Sequence, residues 1–224
     1  MKLHTLSNKL VLRVENKACE FLKGFTSNTL EAPRNVFLDV HGKIVAVFDQ
    51  RVLNENEVLV VIERQFLGRL QKHLEKYLAL GDTRLREEMI RVYFDLEGNA
   101  RPKQGGVVIP QKAGCLILSK ETLPADVSEE AFTLFRLKNN LPVQGVDYDE
   151  EMLLNVGNEE FVSYTKGCYL GQEIIARVHY RSKPPKKLIV KCEADCSPGE
   201  TAAMTSRILD PVSGKVLGFV FTPL

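Results

Sequence analysis

No excess of charge of either sign marks this sequence: 30 Lys and Arg stand against 29 Asp and Glu, a net of +1. That balance excludes wholesale electrostatic binding to nucleic acid or to an anionic membrane surface. Long hydrophobic runs are missing too. The longest, over residues 44–48 and 58–62, are strand-sized and far short of the ~18 residues that span a bilayer, so no membrane contact is predicted. The opening stretch MKLHTLSNKLVLRV mixes charge into its apolar positions and supplies neither a secretory h-region nor a transit peptide. Cysteine is sparse: the 5 in the chain are Cys19, Cys115, Cys168, Cys192 and Cys196. An odd count without an export signal argues against a disulfide framework and predicts free thiols in a reducing cytoplasm.

Several chemical motifs are absent as well. There is no G-x-S-x-G elbow, and Gly105-Gly106 lacks the Lys and Ser/Thr that complete a phosphate loop. Cys192 and Cys196 form a C-x-x-x-C pair, but a closed zinc or cluster site needs about four ligands, and no second pair at ligand spacing lies nearby. The histidines are scattered, and His73 sits beside the apolar face of a helix, as a packed or surface residue does. No internal repeat has a fixed period.

What is present is an ordinary globular composition, 44% hydrophobic and 26% charged, over 224 residues. That length suits one large or two to three small units. Alternation over residues 10–14 predicts a strand, residues 18–25 a short helix, and residues 36–39 and 43–49 two strands joined by a turn at His41-Gly42. The run 58–62 reads as a strand. Phe66, Leu67, Leu70, Leu74, Tyr77 and Leu78 follow at helical spacing, with Gly81 as the expected stop. Strands over 84–88 and 90–94 complete an α+β unit of mostly antiparallel sheet, and residues 96–106 read as a closing loop. Further on, 107–109 and 116–118 read as short strands and Ser128 as an N-cap with Glu129 and Glu130 behind it. That helix should stop near Asn139-Asn140, and strands over 187–192 and 216–221 close the chain.

One stretch stands apart: KGCYLGQEIIAR, residues 166–177. Two glycines bracket a thiol and an aromatic ring, and residues from Gly171 onward can start a helix. Both a helix N-terminus and a neighbouring Lys166 ammonium favour a thiolate, so Cys168 is the predicted chemical group; a buried cysteine in a glycine-rich turn is the plain alternative.

This run closely resembles the KGCYxGQExxAR signature of the YgfZ family, folate-binding relatives of the glycine-cleavage T protein, an aminomethyltransferase. FLKGFTSNT, residues 21–29, is similar to the family's FLQGxxTND, with Gly24 and Asn28 kept. FRLKNNLPVQGVD, residues 135–147, keeps the Arg and Pro of an R-x-x-x-G-I-P segment as Arg136 and Pro142, with Asn140 in place of its Gly. Asn155 stands where the family has an Asn, and Glu151 replaces a usual Pro. The resemblance implies a small multi-domain α+β ring around a central cavity. A discontinuous folate-binding domain would occupy 1–41 and 99–180, a ferredoxin-like unit 42–98, and a short C-terminal β-barrel-like domain 181–224. The region 94–107 lacks a helical unit of the family, and the last domain reads as reduced.

The implied cofactor is tetrahydrofolate or a one-carbon derivative, and the implied role is assembly or repair of iron-sulfur clusters, indirectly supporting tRNA modification. Partners would be folate and iron-sulfur proteins or their assembly machinery. Cys168 and Lys166 would carry the chemistry, with Tyr169, Gln172, Glu173, Arg177, Asn155 and Asn28 binding the cofactor. Tyr169 could stack on a pterin or simply fill the core, and Arg177 could pair with a glutamyl carboxylate or with an ordinary surface partner. Aminomethyl transfer is the alternative. It needs a carboxylate, and where T proteins carry an Asp after a glycine turn this chain aligns Ala46, with Asp49 on the opposite face of the strand. An accessory factor is therefore expected rather than a transferase. Residues 174–192 contain no Asp or Glu but carry Arg177, Arg181, Lys183, Lys186, Lys187 and Lys191, a local field suited to a polyglutamyl tail, to a weak RNA contact over 177–191, or to a solvated linker.

Overall fold

The computed structural model describes residues 2–101, 106–157 and 159–224. In chain order its elements are β1 (Leu3–Thr5), β2 (Lys9–Glu15), α1 (Ala18–Phe25), β3 (Arg34–Leu38), β4 (Ile44–Asn54), β5 (Glu57–Glu63) and α2 (Leu67–Gly81). They continue as β6 (Arg84–Glu88), β7 (Arg91–Asp95), β8 (Val107–Pro110), β9 (Cys115–Ser119), α3 (Glu129–Lys138), α4 (Leu153–Val156) and α5 (Gln172–Arg181). The last are β10 (Lys186–Cys192), α6 (Pro198–Ala202), β11 (Thr205–Asp210) and β12 (Lys215–Pro223). No helix among the described residues is long and apolar enough to cross a membrane.

The strands form three antiparallel sheets, ordered β3-β4-β5-β2-β6, β1-β7-β9-β8 and β10-β12-β11. The fold class is α+β. The first sheet is covered on both faces, which explains the unbroken apolar run of β5. Val58, Val60 and Ile62 pack with Leu70 and Leu74 of α2 and Phe21 of α1, while Leu59 and Val61 face Val92, Phe94 and Leu116 of the second sheet. A third core joins Val36, Leu38 and Ile44 to Tyr148, Ile175, Leu188 and Phe219, and so fastens the β3–β4 hairpin to α5 and to the last sheet. Each of these cores excludes water from continuous aliphatic surface, at roughly 25 cal/mol per Å2.

The expected divide between 41 and 42 falls inside the β3–β4 hairpin, where Asp39 N–H donates to Lys43 O at 3.0 Å. Residues 42–98 contribute to two sheets, because β7 leaves the sheet of β6 and pairs with β1 and β9. The helix expected to stop at Gly81 includes it, and Asp82 takes the left-handed turn with φ 53°. Of the loop expected over 96–106, residues 102–105 lie outside those described. Ser128 caps α3 as its sequence dictates, its side chain accepting from Ala131 N–H at 3.2 Å.

Two glycines lock the signature segment to the rest. Gly171, the N-cap of α5, has φ 83°, and a Cβ there would lie 2.5 Å from Asp39 O. Gly42, φ 72°, would place its Cβ 3.2 Å from that of Ile174. A side chain on Gly171 meets backbone that cannot move aside.

Candidate functional site

A cavity of about 450 Å3 opens where the first two sheets, α3 and β11 converge. Strand pairing builds its floor: Lys9 lies opposite Glu63 and Arg34 opposite Asp49. Lys9 Nζ stands 3.0 Å from Glu63 and 3.6 Å from Asp49, and Arg34 Nε 3.2 Å from Asp49. Gln111 donates to the same Asp49 carboxylate at 3.1 Å. Burial alone would pull the Lys9 ammonium below its ordinary pKa, but Glu63 and Asp49 outweigh it and the net shift is upward. Arg34 also reaches Glu160 at 2.8 Å and lies over the Phe161 ring. Its Nε is misaligned with Asp49 and has no hydrogen-bond partner. A water-poor, carboxylate-bearing floor with one unspent donor is the result.

The walls are apolar. Phe94, Leu116, Phe132 and Leu141 line them, and the His4 ring stacks on Phe132 with centroids 4.3 Å apart. His4 Nδ1 lies 3.0 Å from Val127 O and Nε2 3.2 Å from Glu129. At the far rim Arg136 is buried against Asp147 at 2.8 Å and donates to Ser206 Oγ at 2.8 Å. Arg207 beside it pairs with Glu193. Most cations of the cavity are thus already matched by carboxylates of the chain.

The signature segment lies elsewhere, and none of the eight residues singled out in the sequence lines this cavity. Cys168 is exposed, three residues before the α5 cap. Lys166 turns to the loop after α1 and donates to Thr26 O and Asn28 O. Burial lowers the Lys166 pKa to about 8, with Glu31 opposing and Lys23 reinforcing. Tyr169 lies beneath that ammonium, 5.1 Å from it, and burial pushes its hydroxyl up to about 12. Lys166, Tyr169 and Asn28 therefore meet, and Leu170 N–H donates to Gly24 O at 3.1 Å beside them. The Asn28 amide donates to Arg34 O and Glu160 O and accepts from Thr29 N–H, so its polar atoms are spent on the chain. Gln172 N–H donates to Tyr169 O at 3.2 Å, and Glu173 pairs with Arg177 at 2.8 Å on the exposed face of α5. Asn155 sits apart on α4, donating to Glu151 at 2.9 Å with its Oδ1 buried and unpartnered.

No protein-family model matches the chain. It is 24% identical over 161 residues to an uncharacterised protein of Haemophilus influenzae, covering 68% of the chain and 57% of that protein. It is 27% identical over 85 residues to the tRNA-modifying protein YgfZ of Colwellia psychrerythraea, covering 37% of the chain and 26% of that protein. The matches thus span under two thirds of either relative. The glycine cleavage system aminomethyltransferase T of Bartonella henselae superposes with a TM-score of 0.77 at 14% identity, over 99% of the chain and 78% of that structure. The chain is YgfZ/T-protein-like. Ala46, the position expected from the sequence to replace the transferase Asp, is buried in β4 among the apolar residues that face α2.

Of the charged floor residues, Lys9, Arg34 and Glu63 were not picked out from the sequence, and Asp49 was noted only as the carboxylate on the opposite strand face from Ala46. A signal existed, since each is a charge placed within or at the end of an apolar strand, where burial demands a partner. Their pairing could not be read without knowing that β2 and β3 flank the β4–β5 hairpin. Among the described residues no group of three or more His, Cys, Asp or Glu side chains is arranged to hold a metal ion.

Proposed function

We propose that this chain binds tetrahydrofolate or a one-carbon derivative in the cavity, with the three sheets arranged as a ring around it, and acts in the assembly or repair of iron-sulfur clusters. The observation that carries the reading is the buried floor of Lys9, Asp49, Glu63 and Arg34 under aromatic walls. A pterin presents several N–H donors and one carbonyl on a flat ring. Desolvated carboxylates accept from such donors, the Arg34 guanidinium lining the cavity can meet the carbonyl, and Phe132 and Phe94 can take the ring faces. The volume of about 450 Å3 lies within the usual range of roughly 300–1,000 Å3 for ligand pockets. When bound, the cofactor would supply a one-carbon unit at the oxidation level it carries; the chain's residues position it and exclude water.

Calorimetric titration with tetrahydrofolate tests this. Saturable binding that weakens about tenfold or more in Glu63→Gln supports the cavity, and equal binding by both proteins, or none by the native chain, overturns it. The Fe-S limb rests on Cys168, exposed on the family's signature, although the Lys166 ammonium is turned to Thr26 O and Asn28 O. Cys168→Ala should lower iron-sulfur enzyme activity in cells while leaving folate affinity unchanged. Unchanged enzyme activity would remove the thiol from the mechanism. The RNA contact over 177–191 is a weaker part of the reading, because Arg177, Lys186 and Lys191 are matched by Glu173, Glu151 and Glu200. What favours it is the surface cluster of Tyr164, His179 and Tyr180, with Tyr164 and His179 stacked at 3.7 Å.

A further inference from the structure

A second hollow, also of about 450 Å3, lies between α2 and the β3–β4 turn, away from both the cavity and the thiol. Its lining holds Lys43, Arg69, Lys72, Lys76 and His73 against only Asp39 and Glu150. The acids are largely committed. Asp39 Oδ1 accepts from His41 N–H and Lys43 N–H at 2.8 Å each, which shapes the turn, and Glu150 lies 3.4 Å from Arg69. Arg69 is committed in return, to Asp149 at 2.9 Å. Among the described residues no carboxylate pairs with Lys43, Lys72 or Lys76. Lys72 and Lys76 stand one turn apart on α2, so their repulsion is a standing cost that an anion between them would reverse. His73 lies on the same wall, half-buried, with Nε2 unpartnered; burial lowers its pKa, opposed by Asp39 and by a hydrogen bond to the Leu38 backbone.

We infer that this hollow binds a small phosphoanion carrying two or more charges, held by Lys43, Lys72 and Lys76. Three mobile ammonium groups suit several phosphoryl oxygens as point charges, whereas a single carboxylate would call for the planar fork of an unpaired arginine. The shape favours a small molecule over a polymer, since the cations converge on one concavity and do not track along a surface. The same chemistry is offered by inorganic polyphosphate and by the phosphates of a nucleotide; Tyr77 of the lining, packed on Phe25 with ring centroids 4.5 Å apart, leaves only its other face for a base.

The test is calorimetry and thermal melting of the full chain with tripolyphosphate, ATP and a short RNA, using Lys43→Gln, Lys72→Gln, Lys76→Gln and their combination. Tripolyphosphate should bind, raise Tm and lose affinity roughly three- to tenfold with each lysine removed. ATP binding more tightly assigns a nucleotide; equal or weaker binding assigns the phosphoryl chain alone. The triple variant should keep native tetrahydrofolate affinity, which separates failure here from failure of the folate reading. Absence of binding by any phosphate, undiminished binding in the triple variant, or lysine-dependent binding of RNA alone would overturn the inference.

Discussion

Lys166 holds two carbonyl oxygens with an ammonium whose pKa has fallen to about 8, mainly through burial, against an ordinary value of 10.5. The sign of the pH effect follows. Between those two values the unfolded chain binds more protons than the native one, so stability rises as pH increases through that window, and below it the penalty is constant. Urea midpoints at pH 8 and pH 10 should show this rise, and Lys166→Met should flatten it. At the same scale the five thiols are unequal. Cys168 is exposed, whereas Cys115 is buried and burial pushes its thiol pKa up. A thiol reagent added to the native protein should react first at Cys168 and last at Cys115. Cys168→Ala should abolish the fastest phase with a stability change within about 0.5 kcal/mol. Lys9 is the opposite case, because its removal leaves Asp49 and Glu63 buried together without their shared cation. Lys9→Met should cost about 3–5 kcal/mol by chemical denaturation.

At the scale of elements, the junction of α5 with the β3–β4 turn is the tightest backbone approach around the signature. Gly171→Ala forces a methyl into Asp39 O at a positive φ, and a loss of about 2–3 kcal/mol is expected in thermal melts. Gly167 of the same motif and Gly24 of the 21–29 segment have open space where a Cβ would go, so alanine there should cost far less, a contrast that checks the geometry. Local signals made most elements legible in the sequence. The 3.6-residue spacing of α2, the Ser128 cap of α3 and the alternation of β2 are written in neighbouring residues. Strand β11 and helices α4 and α6 were not read, because their burial comes from distant partners more than from any period of their own: β11 packs on β12 and α3, and α4 on β10.

Across the whole molecule, long-range pairing decided what local pattern could not. The charges of the cavity floor sit at positions 9, 34, 49 and 63, and only the order β3-β4-β5-β2 makes them neighbours. The signature announced itself as a run of residues, whereas the cavity is assembled from single residues far apart in the chain. Attachment of the last sheet depends on a comparable knot. Asp147 accepts from Arg136, Thr205 and Ser206 and so ties α3 and the 141–147 loop to β11. Asp147→Asn should raise hydrogen exchange in β10, β11 and β12 well before it does so in β5, as measured by mass spectrometry. The close approach of Gly171 to the Asp39 carbonyl, which leaves no room for a Cβ, joins two other parts of the molecule. Asp39 and Lys43 border the basic hollow on one side, and Cys168 precedes Gly171 by three residues on the other. Because that space admits no side chain, the turn that borders the hollow and the segment that carries the thiol stay in register only while residue 171 is glycine.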